Sequence, residues 1–328
     1  MMKRNLILTI LLLVQVALIA GLYLSKKEYG AFSPEEKLLS FNPVDIDTIS
    51  LAAEGEEPLT LKKGDKGWFI PSYFNFPCNQ ANIDDLFKKL GELKKGWPVA
   101  VSSDSAERFR VGEDNFVRHI TLKNGGEVET ELFLGSAPSF RKSHARAAGS
   151  DDIVVVEFSD FDAEARPDDW FDRDVLKLKP EEISALTMPD FSLHKDGDDW
   201  IVSNLAEGES SVKEETKKLL EKLSGLTMES VLGPENKPEY HQDMPELVLS
   251  LQTASGEQVT YTISKPENDE HYVLKSSGND NYFKVILWMV DSIKEFTRDK
   301  VVLNPNKETA SEQAEEKEEN SDGATGSN

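Results

Sequence analysis

Two stretches of this chain lie over each other almost residue for residue. Leu61 to Ile70 and Leu193 to Val202 share a leucine, a lysine, a turn rich in Gly and Asp, a tryptophan and an apolar pair, with Trp200 standing to the second stretch as Trp68 does to the first. Two further landmarks recur in the same order. The turn at Gly126 returns at Gly256, and Phe171-Asp172-Arg173-Asp174 matches Phe296-Thr297-Arg298-Asp299. Repetition at a nearly constant offset is the mark of a duplicated structural unit. Whatever one half folds into, the other must fold into as well.

The local patterns say what that unit is. Thr48 to Leu51 and Leu59 to Lys62 alternate apolar and polar residues, as half-buried strands do, and Gly64-Asp65-Lys66-Gly67 supplies the turn into a strand at Trp68. A helix is expected next, capped by Asn82, with Ile83, Leu86, Phe87, Leu90 and Leu93 on one face and Gly96 after its end. Val117 to Lys123 and Glu127 to Gly135 form a hairpin across Asn124-Gly125-Gly126, and Ile153 to Glu157 reads as another strand. In the second half Ser211 and Glu214 suggest a capping box before Val212, Leu219, Leu220, Leu223 and Leu226, and a second hairpin spans Leu247 to Ile263. The expected fold class is α+β: two tandem repeats, 41–176 and 177–303, each a mainly antiparallel sheet with one principal helix.

Outside the repeats lie two segments of opposite character. Leu6 to Leu24 is uncharged and, as a helix, covers roughly 28 Å, the thickness of a bilayer hydrocarbon core. We expect residues 1–25 to be a cytoplasmic start and a transmembrane anchor, followed by a linker over 26–40. Lys3 and Arg4 orient the body away from the cytoplasm, toward the periplasm or cell exterior. At the other end, 304–328 carries seven carboxylates against Lys307 and Lys317 and no large apolar residue, the composition of a disordered acidic tail. The net charge of -23 over 328 residues excludes a phosphate-backbone partner, so no nucleic acid is expected. A single cysteine, Cys78, excludes an internal disulfide framework.

The membrane helix, the turn-Trp-apolar pair at Trp68 and Trp200, the helix after it, the hairpin ending Leu132-Phe133-Leu134-Gly135 and the closing Arg173-Asp174 together resemble the domain-of-unknown-function family 4340 (DUF4340). The resemblance covers residues 41–303. It implies a bacterial protein of the inner (cytoplasmic) membrane, single-pass, often encoded beside ABC-type transporter components of the gliding-motility auxiliary kind. Transporter permease and auxiliary subunits are the partners it implies, with an accessory role and no catalytic residues.

The chemistry of the residues points the same way. His119, His144, His194, His241 and His271 show no metal-ligand spacing, and phosphate-loop, dinucleotide and nucleophile-elbow motifs are absent from the sequence. No enzyme activity, cofactor or metal is expected. Asp196 to Asp199 reads as turn chemistry rather than a calcium loop. Against the acidic background, Phe140, Arg141, Lys142 and Arg146 gather three cations and an aromatic ring in one short stretch, a candidate contact for a ligand or partner; the second repeat has Glu267 to Glu270 there instead. A non-catalytic scaffold is the expected function, a binding module for an anionic envelope glycan or peptide the alternative, and an envelope hydrolase a distant third.

Overall fold

A computed structural model describes residues 35–304 apart from Asn268, together with Val14 and Gln15. The expected anchor and nearly all of the acidic tail lie outside the described residues. Among the described residues no helix is long and apolar enough to cross a membrane. These residues form two compact units, one running up to Lys66 and taking in Ala81–Ala165, the other joining Gly67–Gln80 to the chain from Arg166 on.

The first sheet has eight strands: β1 Thr48–Ala53, β2 Leu59–Gly64, β3 Gly67–Ile70, β4 Phe76–Pro77, β5 Arg118–Asn124, β6 Glu127–Leu134, β7 Ser143–Ala147 and β8 Val154–Val156. Their order across the sheet is β4-β3-β2-β1-β5-β6-β7-β8. Helix α1, Gln80–Glu92, follows β4, and a short α2, Ser103–Phe109, precedes β5. The register explains the core: Ile49 stands between Leu61 and Leu122, and Leu51 between Leu59 and Ile120, all of them buried. Facing side chains of this kind are each worth about 1.5–3 kcal/mol when fully removed from water. Helix α1 buries Ile83, Leu86, Phe87 and Leu90, the face read from the sequence.

The second sheet repeats this plan. Strands β9 Ile183–Thr187, β10 Ser192–Asp196, β11 Asp199–Val202, β13 Ser230–Gly233, β14 Leu247–Thr253, β15 Gln258–Ser264, β16 His271–Ser276 and β17 Tyr282–Ile286 stand in the order β11-β10-β9-β14-β15-β16-β17-β13, while the two-residue β12, Ser210–Ser211, pairs with β18, Val302–Leu303. From β11 to β17 the order matches that from β3 to β8. Helix α3, Lys213–Ser224, follows β11 and β12 as α1 follows β3 and β4; Thr216 donates a hydrogen bond to the Trp200 carbonyl at 2.9 Å and so ties it to β11. Helices α4, Leu287–Lys294, and α5, Arg298–Val301, complete the unit. Trp68 and Trp200 are both buried at equivalent strand positions, β3 and β11.

Three local expectations give way. Helix α1 begins at Gln80, ahead of the expected cap Asn82. Ser211 forms no capping box, because its Oγ accepts the Val202 amide at 2.8 Å and Val212 occupies the cap position. The third repeat landmark is a misalignment. Cys78 bridges to Phe171 as Ser210 and Ser211 pair with Leu303 and Val302, so the structural counterpart of Phe171 is Val302 and not Phe296. With that pairing the landmark falls into line with the rest of the chain.

Residues 67–80 pack with the second unit for a plain reason. The buried Phe76 ring meets Phe171 edge-on at 5.2 Å and Phe283 of β17 at 5.9 Å between ring centres, and Tyr73 meets Phe171 at 5.8 Å. The turn before β4 holds Phe74 and Asn75 at φ +57° and +54°, the left-handed region that L side chains rarely adopt. It brings the Phe74 ring onto Gly233, where a Cβ would lie 2.4 Å from the ring.

Candidate functional site

The cationic stretch singled out in the sequence is split by the structure. It begins just past the end of β6, at Gly135, a position where a Cβ would lie 2.0 Å from the Phe109 carbonyl oxygen. Only glycine lets the strand pass that close to the end of α2. The Gly135 amide then donates to the His144 carbonyl at 2.8 Å and the His144 amide to Ser136 at 3.0 Å, which closes the neck of a loop. At the tip, the Lys142 amide donates to Ser139 at 3.1 Å, leaving Phe140 and Arg141 as the central turn residues, with Arg141 at φ +57°.

That turn pushes Phe140 into solvent, 86% exposed. The Arg141 guanidinium lies 5.3 Å from the Phe140 ring centre, and among the described residues this ring is the partner it finds. Lys142 forms a 3.2 Å ion pair with Glu157, both side chains largely in water, where such pairs are worth little.

The opposite wall is a single turn of tight helix, Asp160–Ala163, opened by Ser159. Asp162 Oδ2 accepts both the Ser159 amide at 2.8 Å and its hydroxyl at 3.0 Å, a reciprocal cap that fixes the turn. Phe161 stands out from it, 78% exposed. Lys89 of α1 reaches Asp162 and Asp85, both at 2.7 Å. Its hydrogen bond to Asp162, with that to Asp85, holds the ammonium above the usual lysine range. Partial burial pushes Asp162 up, but the bonds from Lys89 and Ser159 outweigh it and leave that carboxyl below the usual range.

Between these walls lies an open groove of about 930 Å³, with Phe140, Arg141 and Lys142 on one side, Glu157 to Asp162 on the other and Lys89 at its end. Three cations and three carboxylates nearly cancel, and the two rings are its outstanding apolar feature. Such a site can stack on an aromatic or aliphatic group while Arg141 takes a carboxylate. No lining residue is a histidine or cysteine, and among the described residues no group of His, Cys, Asp and Glu is placed to hold a metal ion.

Arg146 is elsewhere. On β7 its Nε donates to the Val111 carbonyl at 2.7 Å and a terminal nitrogen to Ser150 at 3.3 Å, while its guanidinium sits 4.6 Å from the Phe133 ring centre. His119 stacks on the same ring at 4.3 Å and 11°, so His119, Phe133 and Arg146 run straight across β5, β6 and β7. Burial lowers the basicity of His119, and Arg146 adds to that. This is a structural brace, closed by its own hydrogen bonds. Phe161, Lys89 and Glu157 were not anticipated; Ser159 and Asp162, spaced as a cap, were the available signal for the second wall.

The corresponding region of the second repeat is built differently. His271 Nδ1 lies 3.0 Å from Asp269 and its Nε2 2.6 Å from Glu229, with Lys284 3.7 Å from Asp269. Among the described residues the groove therefore belongs to one repeat.

The family model described as a domain of unknown function, DUF4340, matches residues 68–245, just over half of the chain. No curated protein and no solved structure matches it.

Proposed function

We propose a function that starts from one fact: this chain belongs to the DUF4340 family. It serves as a non-catalytic accessory subunit of an ABC-type envelope transport system. Leu6 to Leu24 anchors it in the inner membrane as a single-pass protein, and its two sheet units stand on the outer side of that membrane. Its work is contact: it holds a permease or auxiliary subunit in place.

The observation that carries this reading is the groove between Phe140 and Phe161. Two large apolar rings are held in water at the tips of braced turns, beside an arginine that, among the described residues, has a ring but no carboxylate for company. That is the composition of a docking hot spot rather than of a solvated face. The same groove supports the second reading, a module that retains an anionic envelope glycan or peptide through Arg141 and Lys142.

The test is a tagged full-length protein, briefly crosslinked in its native membranes, solubilised in mild detergent and identified with its companions by mass spectrometry. Permease and ATPase subunits are expected to accompany the wild type and to be lost from a Phe140→Ser/Arg141→Ser variant of unchanged melting temperature. Recovery of no transporter subunit, under conditions that preserve a known complex, would remove the transport assignment. Glycan and peptide ligands would then be screened against the same groove.

A further inference from the structure

The charges that line the groove cancel in pairs, and the pairs leave a remainder. Glu157 holds Lys142 at 3.2 Å, and Asp162 holds Lys89 at 2.7 Å. Of the three cations and three carboxylates on the walls, Arg141 and Asp160 are left over. Among the described residues neither forms an ion pair with another side chain, and Arg141 has the Phe140 ring alone. Each leftover charge stands next in the chain to one of the exposed rings, Phe140-Arg141 on one wall and Asp160-Phe161 on the other. Both walls thus present the same couple, a phenyl ring beside an unpaired charge, with the sign reversed.

The two couples are held in place before anything binds. The Lys142 amide to Ser139 closes the turn that carries Phe140 and Arg141. Asp162 and Ser159 cap the turn that carries Asp160 and Phe161, and Glu164, the residue that ends it, forms a 3.2 Å ion pair with Arg118, itself 7% exposed. Groups fixed in this way lose little freedom on binding. Their signs also select the occupant. A polyanion would meet one unpaired cation among three carboxylates on a protein of net charge -23, and a purely basic segment would set its cations against Arg141.

We propose, on the reading of this groove as a docking site, that it receives a segment of a partner protein in which a large aromatic or aliphatic side chain stands between one acidic and one basic residue. The apolar group enters between Phe140 and Phe161, the carboxylate meets Arg141 and the cation meets Asp160. In an extended segment these three groups fall at alternate positions, where side chains share one face. A cleft of about 930 Å³ suits a few side chains of such a segment, since ligand clefts run to roughly 300–1,000 Å³.

The probes are Gly/Ser peptides with an uncharged fluorophore and a tryptophan flanked, two positions to either side, by Glu and Lys, by a pair of Glu or by a pair of Lys. Each is titrated against the full-length protein in detergent and read as anisotropy. The Glu/Lys peptide should bind the wild type saturably and the other two about five-fold more weakly, the upper worth of an exposed ion pair. Charge reversal should move the preference at an unchanged melting temperature. Arg141→Asp, a residue that tolerates the left-handed turn, should prefer the Lys/Lys peptide, and Asp160→Lys the Glu/Glu peptide. Asp160→Asn, which keeps the shape of the turn, should bind the Glu/Lys and Glu/Glu peptides alike. No saturable binding to the wild type, equal binding of all the peptides, tightest binding of the Glu/Glu peptide, or a preference that the reversals leave unmoved would overturn the proposal. Recovery of transporter subunits from crosslinked membranes without any charge preference would remove this partner chemistry alone, whereas the preference without those subunits would remove only the transport assignment.

Discussion

Cys78 is 7% exposed, and burial pushes its thiol up to about 12. At neutral pH it is a protonated, shielded thiol, so iodoacetamide should modify it only as the protein unfolds, and labelling across a urea series should follow the unfolding curve. Glu209 makes the opposite case. Arg298 grips both its oxygens, at 3.1 and 2.5 Å, Asn304 adds a bond at 3.2 Å, and the Ala206 amide donates at 2.9 Å. The Arg298 bonds, with the Ala206 amide, bring this carboxyl from 4.5 down to about 2. A carboxyl with a depressed pKa binds fewer protons folded than unfolded, so the stability it contributes is complete above pH 4.5 and is lost as pH falls toward 2. The Glu209→Gln variant should therefore be less stable at pH 7 and lose less between pH 4.5 and 2 than the wild type, read as urea midpoints against pH. That the cysteine has no disulfide partner could be read from the sequence; the depth of its burial could not. The clamp could not, because Arg298 lies 89 positions further on and only the fold brings it to Glu209.

Among the elements, hairpins were the most legible, because turn chemistry and alternation are local. Gly125 and Gly126 sit at φ +58° and +91° between β5 and β6, as the Asn-Gly-Gly stretch foretold, and Gly197 at φ +61° makes Asp196 to Asp199 a hairpin turn. Helix starts were less so. Ser211 has the sequence of a cap, yet the strand beside it claims its hydroxyl, a competition decided by tertiary contact. Strand β7 was only half legible, its cations fitting a loop or a strand edge equally, because Arg146 and His144 sit on a half-buried face where aliphatic residues usually signal a strand. Within that region Gly135→Ala should cost about 2–3 kcal/mol, since its Cβ would fall 2.0 Å from the Phe109 carbonyl and either β6 or α2 must shift. Thermal unfolding measures it, and a loss no larger than the roughly 0.5 kcal/mol of an ordinary surface substitution would mean that the α2 end moves freely. For the groove, the legible part was Phe140 with its cations; the facing wall needed Lys89 and Asp162, far apart in the chain, to be seen together.

At the scale of the whole chain the duplication was plain in the sequence, and the equivalent strand orders of the two sheets account for it. What the sequence concealed is that the compact units do not follow the repeats: residues 67–80 pack with the chain beyond Arg166. Periodicity reports which face of a strand is buried, never which neighbour buries it. Phe76→Ala tests this directly. Removing a ring that is 1% exposed between Phe171 and Phe283 should destabilise the second unit by about 3–5 kcal/mol, and hydrogen exchange should show the loss in β17 and around Phe171 before β5 and β6. Equal loss of protection in both units would show that they unfold as one. The aromatic arm of residues 67–80 also imposes a schedule on synthesis. Phe76 leaves the ribosome about 200 residues ahead of Phe283, a delay of roughly 10–40 s at ordinary elongation rates of ~5–20 residues per second. Through that interval the first repeat can close its own hydrophobic interior and Phe171 comes to meet Tyr73 and Phe76, but the face of Phe76 that packs on Phe283 stays uncovered. A nascent chain paused between residues 172 and 282 should therefore expose the Phe283 side of the arm, and it is in that window that a chaperone or a stray hydrophobic surface would find it.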